Sequence, residues 1–205
     1  MITVDDVVHV IEEEAEEDIF RLGGVPEADV FASPLATSRR RVPWLLLNLG
    51  TATLAALVIA QFADAIDQLV VLAVLMPIVA ALGGNAAIQA LTVTVRALAM
   101  RQITRANMFR VLLKELIVGG LNGVALLIAS FILVVGWFGE FGLALVFATG
   151  IILTIIVAAL VGVAIPLVLD RLGIDPAVAS SVFVLTVTDV FAFFVFLGLA
   201  ALYLL

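Results

Sequence analysis

Five apolar stretches, roughly residues 43–62, 69–99, 111–138, 141–169 and 179–205, dominate the sequence. Each reaches or exceeds the roughly 20 helical residues needed to cross a hydrocarbon core about 30 Å thick. Of 205 residues, 64% are hydrophobic and 13% charged, where a soluble domain has about half and about a quarter. So much apolar surface cannot be hidden inside one small globule, and its natural solvent is lipid. The expected fold is an all-α integral membrane protein with five transmembrane helices per subunit, preceded by an amphipathic cytoplasmic helix.

The basic residues orient the spans. Arg21, Arg39, Arg40 and Arg41 precede span one; Arg96, Arg101, Arg105, Arg110 and Lys114 lie between spans two and three; Arg171 lies between spans four and five. All fall on one side, and the opposite loops hold only Asp64, Asp67 and Glu140. By the positive-inside rule the N-terminus is expected in the cytoplasm and the C-terminus outside a plasma or inner cell membrane. Trp44 and Trp137 fall near opposite interfaces, where indoles prefer to lie. An N-terminus this acidic does not read as a signal peptide, and without cysteine there is neither a disulfide framework nor a thiolate metal site.

Residues 1–38 read as an acidic connecting helix and linker, and residues 39–205 as the transmembrane domain. Val4, Val7, Val8, Ile11, Ala15, Ile19 and Leu22 recur at the three- and four-residue spacing of one helical face. Thr3 and Asp6 resemble a capping box. Gly23, Gly24 and Pro26 end the helix, and residues 32–38 form a polar linker. From the residues alone, the acids of this helix read first as a solvated face, with a functional role left open.

Asp189 stands about ten residues into the fifth span, hence on the order of 15 Å deep at 1.5 Å per residue. A carboxylate near the bilayer centre costs roughly 2.5–3.5 kcal/mol on insertion scales and is rarely left facing lipid. Three roles compete: binding a cation in a pore, relaying protons, or pairing with a cationic side chain. No Lys or Arg lies at comparable depth, which weakens the third. Ser181 and Thr186 lie below Asp189 on the same span and can offer oxygens to an ion or its waters. Two symmetry-related copies of Asp189 would resist joint ionisation unless a cation neutralised them, and oxygen-only ligation suits Mg2+ or Ca2+. Five spans cannot form two equal inverted halves, so a pore on a molecular axis needs at least two copies.

In the second span, Met76-Pro77 and Gly83-Gly84-Asn85 interrupt the apolar run, and the backbone is expected to bend or unwind there. Asn85, Gln89 and Thr92 follow at spacings of four and three along one face, as pore-lining residues or as polar glue between helices. Gly119 and Gly123 form a GxxxG pair suited to close packing. Gly162 and Pro166 are expected to kink the fourth span, and Asn122 to bond between helices.

These residues carry a family likeness. Pro77-x5-Gly83-Gly84-Asn85-x3-Gln89-x2-Thr92-x3-Arg96-x-Leu98-Ala99, Thr186-Val187-Thr188-Asp189-Val190 with Phe193 and Leu197-Gly198-Leu199-Ala200, and Leu172-Gly173-Ile174-Asp175-Pro176 closely resemble motifs of the MgtE family of magnesium channels. The likeness extends to Thr3-Val4-Asp5-Asp6-Val7 and Glu17-Asp18-Ile19, which resemble the end of that family's regulatory region and its connecting helix. The resemblance implies a homodimeric channel in membrane lipid, with a pore lined by the second and fifth helices. Asp189 would bind the hydrated, transported Mg2+, with Asn85, Gln89, Thr92, Ser181 and Thr186 lining the path. It further implies an inhibitory Mg2+ held by Asp175 together with Glu14, Glu17 and Asp18. Ala87 stands where the family often has glycine, and Ser181 where it often has asparagine. The family's larger regulatory domains are expected to be absent, since the chain starts where such a domain would end.

The leading expectation is thus a divalent cation channel, most directly for Mg2+. An ion-coupled divalent cation exporter and a non-transporting membrane scaffold are the alternatives. An enzyme is not expected: His9 is the single histidine and lies in the acidic helix, and no nucleophile–base pair is evident. The basic residues track topology, so nothing points to nucleic acid.

Overall fold

The computed structural model describes residues 33–104 and 106–205, the side chains of 177–180 excepted. The expected acidic helix, with Glu14, Glu17 and Asp18, lies outside the described residues. Among the described residues the chain forms six helices, α1 (Pro34–Gln61), α2 (Ala63–Gln68), α3 (Val71–Ala99), α4 (Met108–Phe138), α5 (Phe141–Arg171) and α6 (Pro176–Tyr203). All but α2 are long and apolar enough to cross a membrane. The fold is the all-helical, five-span arrangement expected from the apolar pattern.

The helix ends follow local chemistry. Helix α1 starts inside the stretch read as linker, because Ser33 accepts the Ala36 N–H at 3.4 Å and Pro34 opens the first turn, where its missing N–H costs nothing. The short α2, carrying Asp64 and Asp67, was not anticipated. It follows directly on Phe62, whose N–H bonds the Ile59 carbonyl at 2.9 Å. Helix α4 ends on Gly139 at φ 72°, in the left-handed region that favours glycine. Helix α5 ends in a Schellman motif. The Ile174 N–H reaches Leu169 O at 3.0 Å and the Gly173 N–H reaches Asp170 O at 3.1 Å, with Gly173 at φ 72°. Gly173→Ala is expected to lower stability by about 1 kcal/mol through that left-handed position. Thermal unfolding in detergent checks it, with Gly173→Asn recovering part of the loss.

The unwinding allowed for at Gly83-Gly84 of α3 is not formed. Both helices run unbroken, with Pro77 and Pro166 in their interiors. Where no water is available, the helical ladder is the cheapest way to satisfy the backbone, and the glycines serve another purpose. Lipid tails are as apolar as leucine, so helices associate by close packing rather than by hydrophobic expulsion. A Cβ added at Gly83 would lie 2.6 Å from Thr154 Cγ2; at Gly119, 2.7 Å from Ala159 Cβ; at Gly123, 2.9 Å from Ile152 Cγ1. Gly119 and Gly123 therefore seat α4 on α5, as their spacing predicts.

Helix α5 is the hub and packs on α3, α4 and α6, while α3 and α6 also pack on each other. Phe147 and Ile151 of α5, Phe196 of α6 and Leu72 and Leu75 of α3 are fully buried in one core. Phe147 and Phe196 meet edge to face at 5.6 Å, the arrangement their ring quadrupoles favour. Helix α4 rests chiefly on α5, and α1 chiefly on α6. Helix α1 buries only Ala55 and presents Leu45, Leu46, Leu49, Leu54 and Leu57 outward, a surface that only lipid or another apolar surface can cover.

Candidate functional site

Asp189 lies at the middle of α6, thirteen residues from Pro176 and fourteen from Tyr203. At about 1.5 Å per residue, that is roughly 20 Å from either end. The side chain is partly buried, and its carboxylate has no hydrogen-bond or ion-pair partner among the described residues. Packing sets its level. Gly83 of α3 faces Thr188 and Gly84 faces Leu185, so on these oppositely running helices Asp189 stands about one turn above Asn85 on the adjacent helix. Glycine is required at Gly83 because Thr154 and Thr188 close in from α5 and α6 together. Thr154 Oγ1 is buried there without a partner among the described residues.

Thr186 is partly buried, and its hydroxyl donates to Val182 O at 2.6 Å. Thr188, buried, does the same to Val184 O at 2.7 Å. With its proton satisfied within the helix, the Thr186 oxygen is left to accept from a water or an ion's hydration shell. Ser181 is buried at 8% exposure, about two turns below. On α3, Asn85, Gln89 and Thr92 are all exposed, together with Pro77, Ala81 and Arg96. They form one polar-edged stripe opposite the buried face. Thr92 donates to Ile88 O at 2.8 Å, again leaving its lone pairs free. Gln89 stands at the edge of the stripe and also lines a cavity toward α4.

Asp175 is exposed in the loop before α6, about 21 Å along that helix from Asp189 at 1.5 Å per residue. The structure therefore separates these two candidate acids. The loop is tied down by Arg171, whose guanidinium reaches Met108 Sδ at 3.1 Å at the start of α4. Among the described residues, no three His, Asp or Glu side chains gather into a metal cluster. One chain thus offers Asp189 as an isolated carboxylate, with hydroxyl and amide side chains about a turn or more away along α3 and α6. Such a set can attract a hydrated cation but cannot enclose a dehydrated one.

One buried acid is not evident from the sequence, and one expected contact is not formed among the described residues. Glu115 of α4 is buried at 9% exposure, although beside Lys114 it reads as part of a basic flank. An acid within an apolar span was the available signal. Asn122, expected to bond between helices, makes no side-chain hydrogen bond to a described residue and lines the same cavity as Gln89 and Glu115.

Comparison with known proteins follows the same landmarks. Residues 76–199, which take in the α3 stripe and Asp189, match the MgtE family model, described as a divalent cation transporter. The magnesium transporter MgtE of Thermus thermophilus is 38% identical over 209 residues, and those of Enterococcus faecalis and Bacillus subtilis are 34% identical over 206 and 31% over 209. Each alignment covers all of this chain but only 45–46% of the relative, so the chain spans just under half the length of these proteins. A family match across more than half of the chain, centred on the helices that carry the isolated carboxylate and the polar stripe, shows that the chain belongs to the MgtE family of divalent cation transporters.

Proposed function

We propose that the chain forms a homodimeric channel for Mg2+, with the two Asp189 carboxylates facing one another across a two-fold axis as the ion site. The observation that carries this reading is the Asp189 carboxylate itself. It is partly buried, lacks a partner among the described residues, and stands at mid-helix, about one turn from Asn85 at the exposed polar edge of α3. Two such carboxylates balance one divalent ion, and without it they would not both stay ionised. Mg2+ sheds its waters reluctantly. The oxygens of Asn85, Gln89, Thr92, Ser181 and Thr186 therefore suit a path that recognises the ion with its shell in place. That the relatives are named magnesium transporters supports the choice of ion.

In this reading the membrane is the cell's plasma or inner membrane. The end of the bundle holding Arg96, Arg101 and Arg171 faces the cytoplasm, and the C-terminus faces outward. Asp175 lies at the cytoplasmic mouth. Its proposed regulatory Mg2+, shared with Glu14, Glu17 and Asp18, would draw the acidic segment under the pore when cytoplasmic Mg2+ is high.

The test is Mg2+ entry into proteoliposomes loaded with a Mg2+-sensitive dye, without any imposed proton or sodium gradient. Entry that follows the Mg2+ gradient alone and stops at equilibrium is expected. Uptake that requires a second ion gradient would replace the channel with a coupled exporter. No flux from a well-folded dimer would leave a scaffold.

A further inference from the structure

Three exposed pairs of a basic and an apolar residue ring one end of the bundle. Met100 and Arg101 follow α3, Phe109 and Arg110 stand in the first turn of α4, and Arg171 and Leu172 close α5. Met100, Phe109 and Leu172 are 57%, 75% and 68% exposed. The backbone beneath them is anchored, because Ile103 and Met108 pack against the core cluster of Ala90, Val163 and Leu167. Asn107 braces the loop: its Oδ1 accepts the Thr104 N–H at 2.7 Å, and its Nδ2 donates to Gln102 O at 2.8 Å. Two of the arginines stand where they work against the fold. Arg101 has φ 53°, in the left-handed region that disfavours a residue with a Cβ. Arg110 lies at the start of α4, where a cation opposes the helix dipole. Neither these two nor Arg171 pairs with a carboxylate among the described residues. The Arg171 guanidinium meets only Met108 Sδ, a weak acceptor. Topology alone would be served by basic residues anywhere in the loop.

We propose that this end of the bundle is a recognition surface for anionic phospholipid. Arg101, Arg110 and Arg171 bind headgroup phosphates, while Met100, Phe109 and Leu172 sit in the adjoining acyl layer. The outward face of α4 points to lipid as the occupant. Phe109, Leu113, Ile117 and Leu121 recur every four residues and are all exposed, so they form one apolar stripe along the helix. Because α4 rests chiefly on α5, this stripe faces acyl chains, and the arginines at its end lie at headgroup depth. A guanidinium meets two phosphate oxygens with parallel N–H bonds. An anchored loop has little left to order when it does so. Lys114, one turn after Arg110, extends the basic edge with its stem along apolar surface. Asp170 and Asp175 are the acids nearest Arg171 in the chain, and Arg171 pairs with neither. A zwitterionic choline headgroup carries its own cation, so the surface favours a headgroup with net negative charge. The inference does not rest on Asp189 and can fail or hold separately from the channel reading.

The test mixes the full chain, in neutral detergent, with equal amounts of phosphatidylglycerol and phosphatidylcholine bearing the same acyl chains. Native mass spectrometry counts the lipids retained. Phosphatidylglycerol is expected to be retained at least about tenfold over phosphatidylcholine, given three arginines on one headgroup layer. Arg101→Gly and Arg110→Gln are each expected to cut that preference about fivefold, the worth of one basic residue at an anionic lipid surface. Each should also raise the melting temperature in lipid-free detergent, since it removes a local strain or a charge opposed to the dipole. Preference lost by a more stable protein cannot be put down to misfolding. Arg39→Gln, at an exposed position of α1 on the same end, is expected to leave the preference nearly unchanged. A loss there equal to that of Arg101→Gly would reduce the surface to generic charge and overturn the proposal. Equal retention of both lipids by the parent, or an unchanged preference in Arg101→Gly and Arg110→Gln, would overturn it as well. Displacement of the lipid by millimolar inorganic phosphate would make this a site for the free anion instead. A preference that appears only after Glu12, Glu13, Glu14, Glu16 and Glu17 are changed to Gln would mean that the acidic segment covers the surface, which also overturns it.

Discussion

Asp189→Asn is expected to reduce Mg2+ entry into proteoliposomes by at least about 100-fold while leaving the protein dimeric and helical. Asparagine keeps the size and hydrogen-bonding atoms of the side chain and removes only its charge. A divalent ion about 5 Å from one carboxylate, at an effective dielectric of about 20, gains on the order of 6 kcal/mol before desolvation is charged against it. If only about 3 kcal/mol survives as net attraction per dimer, occupancy still falls by about 100-fold. Stability should not suffer, because the carboxylate bonds to no described residue and a neutral amide is cheaper to hold at mid-membrane. Asp189→Glu retains the charge but moves it by one methylene, so intermediate flux is expected. Flux in Asp189→Asn equal to that of the parent would remove this residue from the ion path. A misfolded Asp189→Asn would instead assign it a structural role.

The five spans were legible because length and apolarity alone decide whether a segment can cross lipid, and both are properties of the local sequence. Asp189 was legible for the same reason: one charge in an apolar run is conspicuous whatever surrounds it. That α3 stays wound at Gly83-Gly84 was not legible, for a different reason. Glycine permits irregular backbone, but it equally permits close approach, and the choice between them depends on what arrives from elsewhere. Here the arrivals are Thr154, Leu185 and Thr188, some 70 to 105 positions away in the sequence. Glu115 was missed because its burial is also a tertiary product, created when Gly119 lets α4 settle on Ala159. The start of α1 was misplaced because Ser33 and Pro34 are turn-forming and helix-starting residues alike. Here the cap at Ser33 is formed.

The hub itself is open to a matched pair of substitutions. A Cβ at Gly162 of α5 would lie 2.6 Å from Ala87 O, 2.8 Å from Ala90 Cβ and 3.1 Å from Leu91 N of α3. Two of these are backbone atoms that no rotamer change can move, so Gly162→Ala must push α3 away from α5 along its length. Overpacking of this kind costs about 1–3 kcal/mol. Close helix approach is what holds a bundle together in lipid, so the upper part of that range is expected. Gly120 of α4 meets nothing within 4 Å. Gly120→Ala should therefore gain up to about 1 kcal/mol of helix propensity and raise the melting temperature. The two variants make the same chemical change inside helices, and they are expected to move thermal unfolding in detergent in opposite directions. Because α3 carries Asn85, Gln89 and Thr92, Gly162→Ala should also depress Mg2+ flux, whereas Gly120→Ala should leave it near the parent value. Ala90→Gly added to Gly162→Ala relieves one of the three clashes and should restore only part of the stability. Full recovery would mean that the backbone of α3 yields more easily than close packing allows, and equal melting temperatures for the two glycine variants would mean that α3 and α5 do not meet at Gly162.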